Sequence, residues 1–193
     1  MGLYLHPPTN AVVLSVDEKT QIQALSRTHP LLPRRPGLPA GRTHDYRRNG
    51  LTSLYAALNV ESGQVVGACR DRHTAVEFLE FLKILQRRYR RRALHVILDN
   101  SSTHSTPAVR AWLDAHPHVQ FHFTPTGASW LNLVEVWFSI LTRKAVRRGS
   151  FDTVRALVTH IHHYIDRWND HPTPFVWTKT PADLIRKIER RRH

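Results

Sequence analysis

Two apolar runs in the sequence each end abruptly in an acidic residue. The first, Ala11 to Val16, is followed by Asp17, and the second, Leu94 to Leu98, is followed by Asp99. Continuous apolar runs of this length, bounded by polar residues, are typical of strands that are buried on both faces of a sheet. The pattern therefore predicts two central strands, each with an acid at its C-terminal tip.

Other segments predict strands that pair with this central sheet. Leu51 to Val60 and Gln64 to Ala68 flank a short polar turn that contains Gly63, a residue free to adopt a positive φ. This arrangement indicates a β-hairpin. Apolar and polar residues then alternate over 119–123, which indicates a further strand. A hairpin combined with strands separated by helices predicts a mixed sheet.

Apolar residues at helical spacing predict helices after the hairpin and through the last third of the chain. Thr74 with Glu77 three residues later has the signature of a capping box. The predicted N-terminal caps are Thr74, Thr106, Ser129, Asp152 and Thr180. We expect one domain over residues 1–193, ending in a Pro-rich segment and a C-terminal helix over 171–193.

The charge balance indicates a polyanionic partner. The chain has 28 Lys and Arg against 15 Asp and Glu, a formal net charge of +13, and its arginines are clustered. A guanidinium group matches a phosphate with two parallel hydrogen bonds, so such clusters favour nucleic acid. For any single cluster, a solvated Arg-rich surface is the alternative.

Two classes of protein are excluded by composition. The lone Cys69 cannot form a disulfide framework or a CxxC metal pair. No apolar stretch approaches the roughly 18 residues of a membrane span, and the first residues do not have the pattern of a secretion signal. We expect a soluble, intracellular protein with no membrane partner.

A third acid, Glu135, lies next to the apolar stripe of its predicted helix, beside Leu131 and Phe138. A carboxylate at the border of a core face is costly unless a cation or donor compensates it. If Asp17 and Asp99 end adjacent parallel strands, their carboxylates lie roughly 5–10 Å apart and repel. Carboxylate oxygens are the ligands that Mg²⁺ prefers, and two such ions can clamp a phosphoryl transfer. The acids and the basic surface together indicate an enzyme that cleaves or joins phosphodiesters.

The acids lie in three sequence blocks that resemble those of a known family. The blocks are 16–19, 95–104 and 124–138, and 35 residues separate Asp99 from Glu135. The chain resembles the DDE transposases, in particular the bacterial insertion-sequence transposases related to the mariner group. The stretches 44–50 and 175–178 also resemble that group, and the similarity extends over about residues 4–177. Ordered blocks at matching intervals are much rarer by chance than a single motif.

This resemblance implies an α/β fold of the ribonuclease H-like type, with a mixed central sheet flanked by helices and with C-terminal helices. It also implies cut-and-paste DNA transposition, in which water attacks a phosphodiester at each element end. The freed 3′-hydroxyl then attacks target DNA, commonly at a TA step. By position, Asp17, Asp99 and Glu135 would be the catalytic residues and the ligands of two Mg²⁺ ions, for which Mn²⁺ could substitute.

Further residues in the matching blocks have candidate roles beside the acids. Asn100, His104 and Asn132 could orient the carboxylates or contact DNA phosphate, with a cap or an ordinary polar contact as the alternative for each. Glu18 points away from Asp17 if the strand continues, which favours a salt bridge over metal binding. The predicted DNA-contacting residues are Arg47, Arg48, Arg87, Arg88, Arg90, Arg91, Arg92, Trp130, Arg147 and Arg148. Trp130 could stack on an extruded base, although core packing is its more common role.

The family normally carries a helix-turn-helix region before its catalytic domain. Here the first predicted strand begins about ten residues into the sequence, and no such module is recognisable. We expect metal binding but poor sequence specificity from this chain, with transposon ends and target DNA as partners and a homodimer at paired ends. We expect it in the bacterial cytoplasm, associated with the nucleoid. The alternatives are a ribonuclease H-like nuclease that cuts without joining, and an inactive transposase remnant that only binds DNA.

Overall fold

The computed structural model describes residues 2–27, 46–125 and 131–176, and it omits the side chain of Leu5. The predicted caps Ser129 and Thr180, the predicted base-stacking residue Trp130 and the predicted C-terminal helix lie outside these residues. Within them, no helix is long and apolar enough to cross a bilayer.

In the described parts of the chain, five strands form one mixed sheet in the order β3-β2-β1-β4-β5. The strands are β1 (Ala11–Arg27), β2 (Tyr46–Asn59), β3 (Val65–Arg70), β4 (Ala93–Leu98) and β5 (Val119–Phe123). The first three strands pair antiparallel, whereas β4 runs parallel to both β1 and β5. The predicted mixed sheet is therefore confirmed.

The hairpin between β2 and β3 has the predicted turn. Gly63 adopts a φ of +73°, and the Asn59 side-chain oxygen accepts hydrogen bonds from the backbone N–H groups of Glu61 and Ser62. These bonds satisfy turn amides that would otherwise lack a protein partner.

Strand β1 is much longer than the apolar run predicted. The prediction ended the strand at Val16, but β1 continues to Arg27 because its backbone stays paired with β2 as far as Tyr46. The extension is buried on one face only, with Ile22 and Ala24 in the core. A half-buried strand shows alternation instead of a continuous apolar run, so the prediction stopped too early.

Helices cover both faces of the sheet. They are α1 (Gly2–Leu5), α2 (Ala75–Arg88), α3 (Pro107–Asp114), α4 (Leu133–Leu141) and α5 (Val154–Asp170), with a 3₁₀ turn at Ser102–Ser105 and a π-helical turn at Thr142–Val146. The capping box of Thr74 is confirmed. The predicted cap Asp152 is wrong, because Thr153 has the extended backbone of a cap and its hydroxyl accepts a hydrogen bond from the N–H of Ala156.

The described residues form two hydrophobic cores, one on each face of the sheet. Helices α4 and α5 cover one face, where Trp137 and Ile161 are buried. Helices α2 and α3 cover the other face, where Phe78, Phe81 and Val109 are buried. This double covering explains the continuous apolar sequences at the start of β1 and in β4.

Candidate active site

The sheet register places Asp17 beside Asp99. Ser15 is paired with Ile97 at the end of the parallel ladder, and each acid follows its paired residue by two positions. Side chains two positions apart point to the same face, and adjacent strands lie roughly 5 Å apart. Asp99 follows the tip of β4 as predicted. Asp17 does not end its strand, because β1 continues past the point where its parallel neighbour stops.

Asp17 is buried among other carboxylates. Only 8% of its surface is exposed, and its two carboxylate oxygens accept hydrogen bonds from the N–H of Glu18 at 2.8 Å and from Nδ2 of Asn132 at 3.1 Å. Burial is the largest cause that raises the pKa of Asp17 to about 7, and the nearby charges of Glu135, Glu18 and Asp99 act with it against the hydrogen bond from Glu18. Among the described residues, the charges that shift this pKa are therefore carboxylates.

Asn132 connects helix α4 to strand β1. Its buried amide donates to Asp17 and, at 2.9 Å, to the carbonyl oxygen of Val16, while its side-chain oxygen accepts a hydrogen bond from the Ser15 hydroxyl. The Ser15 oxygen in turn accepts the N–H of Val134 at 2.9 Å. Asn132 occupies the N-cap position without a side-chain capping bond. Of the roles predicted for Asn132, its hydrogen bond to Asp17 favours the one in which it orients a carboxylate.

Glu135 lies in the first turn of α4, three residues after Asn132. Its side chain is exposed, whereas Trp137 and Phe138 on the same helix are buried. The expectation that its carboxylate needs compensation at the edge of the core is therefore wrong, because water solvates this charge. Its influence on the pKa of Asp17 shows that the two carboxylates interact across the site.

His104 is buried and contacts the side chain of Asp99. The ring is 1% exposed and packs against Phe78, with ring centroids 4.4 Å apart. Its Nδ1 lies 3.1 Å from Oδ1 of Asp99, and its Nε2 lies 3.3 Å from Oε2 of Glu18. Burial alone would lower the pKa of His104, but the hydrogen bond and charge of Glu18, together with Asp99, raise it. The salt bridge predicted for Glu18 is present, while Asn100 is exposed next to Asp99.

Two contributors to this site were missed from the sequence. Ser15 is a single hydroxyl inside an apolar run, a signal that could have indicated a buried hydrogen-bond role. Tyr4 donates its hydroxyl to the carbonyl oxygen of Leu131 at 2.8 Å, directly before Asn132. No local pattern in the sequence indicates that contact, which joins residues 127 positions apart.

The predicted DNA-contacting arginines are spread over different places. Arg87 to Arg92 lie between the end of α2 and the start of β4, whereas Asp99 follows the other end of that strand, roughly 20 Å away. Nη2 of Arg92 donates to the carbonyl oxygen of Ala11 at 2.8 Å, a contact within the fold. The structure therefore does not bring this cluster to the acids. Arg47 and Arg48 are exposed at the start of β2, and Arg147 and Arg148 are exposed after α4.

The donor chemistry of the site fits a divalent cation. Asp17, Asp99 and Glu135 offer only carboxylate oxygens, and hard cations such as Mg²⁺ prefer oxygen ligands. Among the described residues, no group of three or more His, Cys, Asp or Glu side chains is arranged to hold an ion as it stands. Burial and the neighbouring carboxylates raise the pKa of Asp17, and a bound cation would favour its charged form.

Residues 12–158 match the family model of the DDE superfamily endonucleases. The chain belongs to this family. The match contains all three acids, so they lie within the endonuclease domain. A comparison with curated protein sequences finds no match.

Solved structures show the same fold for this DDE endonuclease. A Mos1 transposase paired-end complex with the left transposon end superposes with a TM-score of 0.60 at 18% identity, covering 97% of this chain and 54% of that chain. The catalytic domain of Mos1 mariner transposase gives 0.56 at 14% identity, covering 97% and 80%. The BIV integrase catalytic core gives 0.54 at 14% identity, covering 93% and 97%. The predicted ribonuclease H-like fold is confirmed, and the chain spans about half the length of the transposase in the paired-end complex.

Proposed function

We propose that this DDE endonuclease is the catalytic domain of a cut-and-paste DNA transposase, which cleaves DNA phosphodiesters and transfers the freed strand to target DNA. The observation that carries the proposal is the electrostatic environment of Asp17. Its buried carboxylate has a pKa near 7 beside the charges of Glu135 and Asp99, at one edge of a ribonuclease H-like sheet. Such an arrangement suits an enzyme that gathers cations to stabilise a phosphoryl transfer.

The three acids share one role in this proposal, and two neighbouring residues position them. Asp17, Asp99 and Glu135 would hold Mg²⁺, two ions in all, with Mn²⁺ able to substitute. When bound, these ions would supply positive charge to the attacking and leaving oxygens. Asn132 would keep Asp17 oriented through its hydrogen bond, and His104 would do the same for Asp99 through the 3.1 Å contact between its Nδ1 and the carboxylate.

The substrate we propose is DNA at transposon ends, followed by target DNA. The match to a Mos1 transposase solved with a transposon end supports this substrate class, and a homodimer at paired ends is part of the proposal. We propose that residues 1–193 act as one catalytic domain in the bacterial cytoplasm, at the nucleoid. Their DNA contacts would depend on the phosphate backbone, so binding to terminal-repeat and scrambled duplexes should be equal at matched salt. A strong preference for the repeat would overturn this part.

Cleavage and joining assays test the reaction itself. We expect the chain with Mg²⁺ to nick duplex DNA and to join pre-cleaved 3′-ends to a target duplex. Asp99→Asn should abolish both reactions while leaving non-specific DNA affinity intact. Asp166→Asn makes the same chemical change at an exposed position on α5 and should leave both reactions unchanged.

The other outcomes of these assays identify the alternatives. Hydrolysis without strand transfer would indicate a nuclease of the same fold. DNA binding without cleavage in the unmutated chain would indicate a remnant that only binds DNA. Unchanged cleavage in Asp99→Asn would remove the proposed site from consideration.

A further inference from the structure

An open groove lies on the α4 side of the sheet, along the segments that follow Asp17 and α4. One wall is the distal part of β1 with the start of β2, and the other is the π-helical turn after α4 with the segment that follows it, to Phe151. The groove has a volume of about 990 Å³. We call it the basic groove, after the cations that line it: Lys19, Arg27, Arg143, Arg147 and Arg148.

The charge of the basic groove has no acidic counterpart within residues 2–27, 46–125 and 131–176. No acid from these ranges is among the residues that line it. None of its five cations forms an ion pair with a carboxylate in the described parts of the chain, whereas Arg70 elsewhere pairs with Glu80 at 3.1 Å. A concave surface that is lined by one sign of charge concentrates ligands of the opposite sign.

The two walls are tied together by hydrogen bonds. The N–H of Phe151 donates to the carbonyl oxygen of Leu25 at 2.7 Å. Nδ2 of Asn49 donates to the Ser26 hydroxyl at 2.8 Å and to the carbonyl oxygen of Phe151 at 2.9 Å. Because these contacts join β1, β2 and the segment after α4, the backbone that carries the cations is held in place before a ligand binds.

A bulge shapes the wall formed by β1. The β1–β2 register shifts between Lys19 and Ile22, and Gln21 between them has a φ of +54°. A non-glycine residue in the left-handed region is strained, and bulges bend a strand and change the direction of its side chains. This strained bulge lies in the lining of the groove, two to four residues from Asp17.

The groove begins close to Asp17 along β1 and runs away from it. Lys19 is two residues beyond Asp17 on β1, roughly 7 Å along the strand. Thr142, the first residue of the π-helical turn after α4, is seven residues beyond Glu135, roughly 10 Å along the helical axis. From Lys19 to Arg27 the wall extends roughly 25 Å.

We infer that the basic groove holds the sugar–phosphate backbone of the DNA that flanks the scissile bond. This inference rests on the proposed function and specifies which of the clustered arginines contact the substrate. Cations that have no acidic partner in the described part of the chain, spaced along a path that begins two residues from Asp17, match a chain of phosphates. The arginines near α2 carry similar charge, but they lie at the opposite end of β4 from Asp99.

Salt-dependent binding tests the inference with two variants of equal charge. The groove variant carries Arg143→Ala, Arg147→Ala and Arg148→Ala, and the control carries Arg87→Ala, Arg88→Ala and Arg91→Ala. All six side chains are exposed, so both variants should fold. Binding of a fluorescein-labelled random duplex is followed by anisotropy in EDTA across a range of KCl concentrations.

The groove variant should lose about 0.9 from the slope of log K against log salt for each phosphate contact removed, and roughly 100-fold in affinity near 0.1 M salt. The control should change far less. Equal losses in both variants would show that only net charge matters and would overturn the inference.

A second measurement uses the unmutated chain. DNA should protect Lys19 from acylation, as measured by mass spectrometry, while the exposed Lys83 on α2 stays reactive. Equal protection of both lysines would also overturn the inference. If groove variants bind normally while Asp99→Asn abolishes cleavage, the groove inference fails and the proposed function stands. If the unmutated chain does not bind duplex DNA even at low salt, both fail.

Discussion

Replacing Asp17 with Asn should make the metal-free protein more stable at pH 8. The folded pKa of Asp17 is raised from 3.8 to about 7 by burial and by neighbouring carboxylates. Between these values the unfolded chain releases its proton while the folded chain keeps it. Stability therefore falls as the pH rises through this window, and the loss is complete above about pH 7.

The size of the effect follows from that shift. A folded-state pKa of about 7 against 3.8 in the unfolded chain corresponds to about 4 kcal/mol of lost stability at pH 8. An Asn side chain has one accepting oxygen and one donating NH₂ group. Its NH₂ group would therefore face either the N–H of Glu18 or the Nδ2 group of Asn132, and two donors cannot form a hydrogen bond. That mismatch costs about 1–2 kcal/mol. We therefore expect Asp17→Asn to gain about 2 kcal/mol at pH 8 and to lose stability near pH 4, where Asp17 is already neutral.

Urea unfolding in EDTA measures this prediction, with the fluorescence of the buried Trp137 as one probe. Asp166→Asn at an exposed position is the matched control and should change stability little at either pH. Mg²⁺ should stabilise the unmutated chain at pH 8 more than Asp17→Asn, since binding to the folded state adds stability by mass action. If Asp17→Asn shows the same difference from the unmutated chain at both pH values, the reasoning about this carboxylate is wrong.

Three further substitutions test the surroundings of the site. Asn132→Ala should lower the free energy of unfolding in urea by about 3 kcal/mol, because it leaves the buried Ser15 hydroxyl without its acceptor. It should also lower Mg²⁺-dependent cleavage, and full activity would exclude a positioning role for Asn132. Gln21→Gly should raise stability by up to about 1 kcal/mol, because glycine tolerates the positive φ; a loss would show that the side chain holds the bulge. Gly67→Val should lower the thermal unfolding midpoint, since a Cβ there would lie 2.5 Å from Cδ1 of Ile165. An unchanged midpoint would show that α5 shifts to accommodate the larger side chain at little cost.

Much of the fold could be predicted from local patterns. The apolar runs of β1 and β4, the hairpin turn at Gly63 and the capping box at Thr74 each depend on residues close together in the chain. Periodicity and capping are local properties, so the sequence carries them directly. The family resemblance came from the same kind of information, namely ordered blocks at matching intervals.

The sequence by itself determined which residues are candidates for the proposed chemistry: three acids, their amide and histidine neighbours, and an excess of arginine. Only the tertiary structure decided their arrangement. It put Asp17 within a long strand, left Glu135 in solvent, and separated the arginines near α2 from the site while joining Arg147 to Lys19 in one groove. These outcomes depend on strand register and on how α4 packs against β1. Contacts between residues more than a hundred positions apart are set by the whole fold, so no local pattern records them.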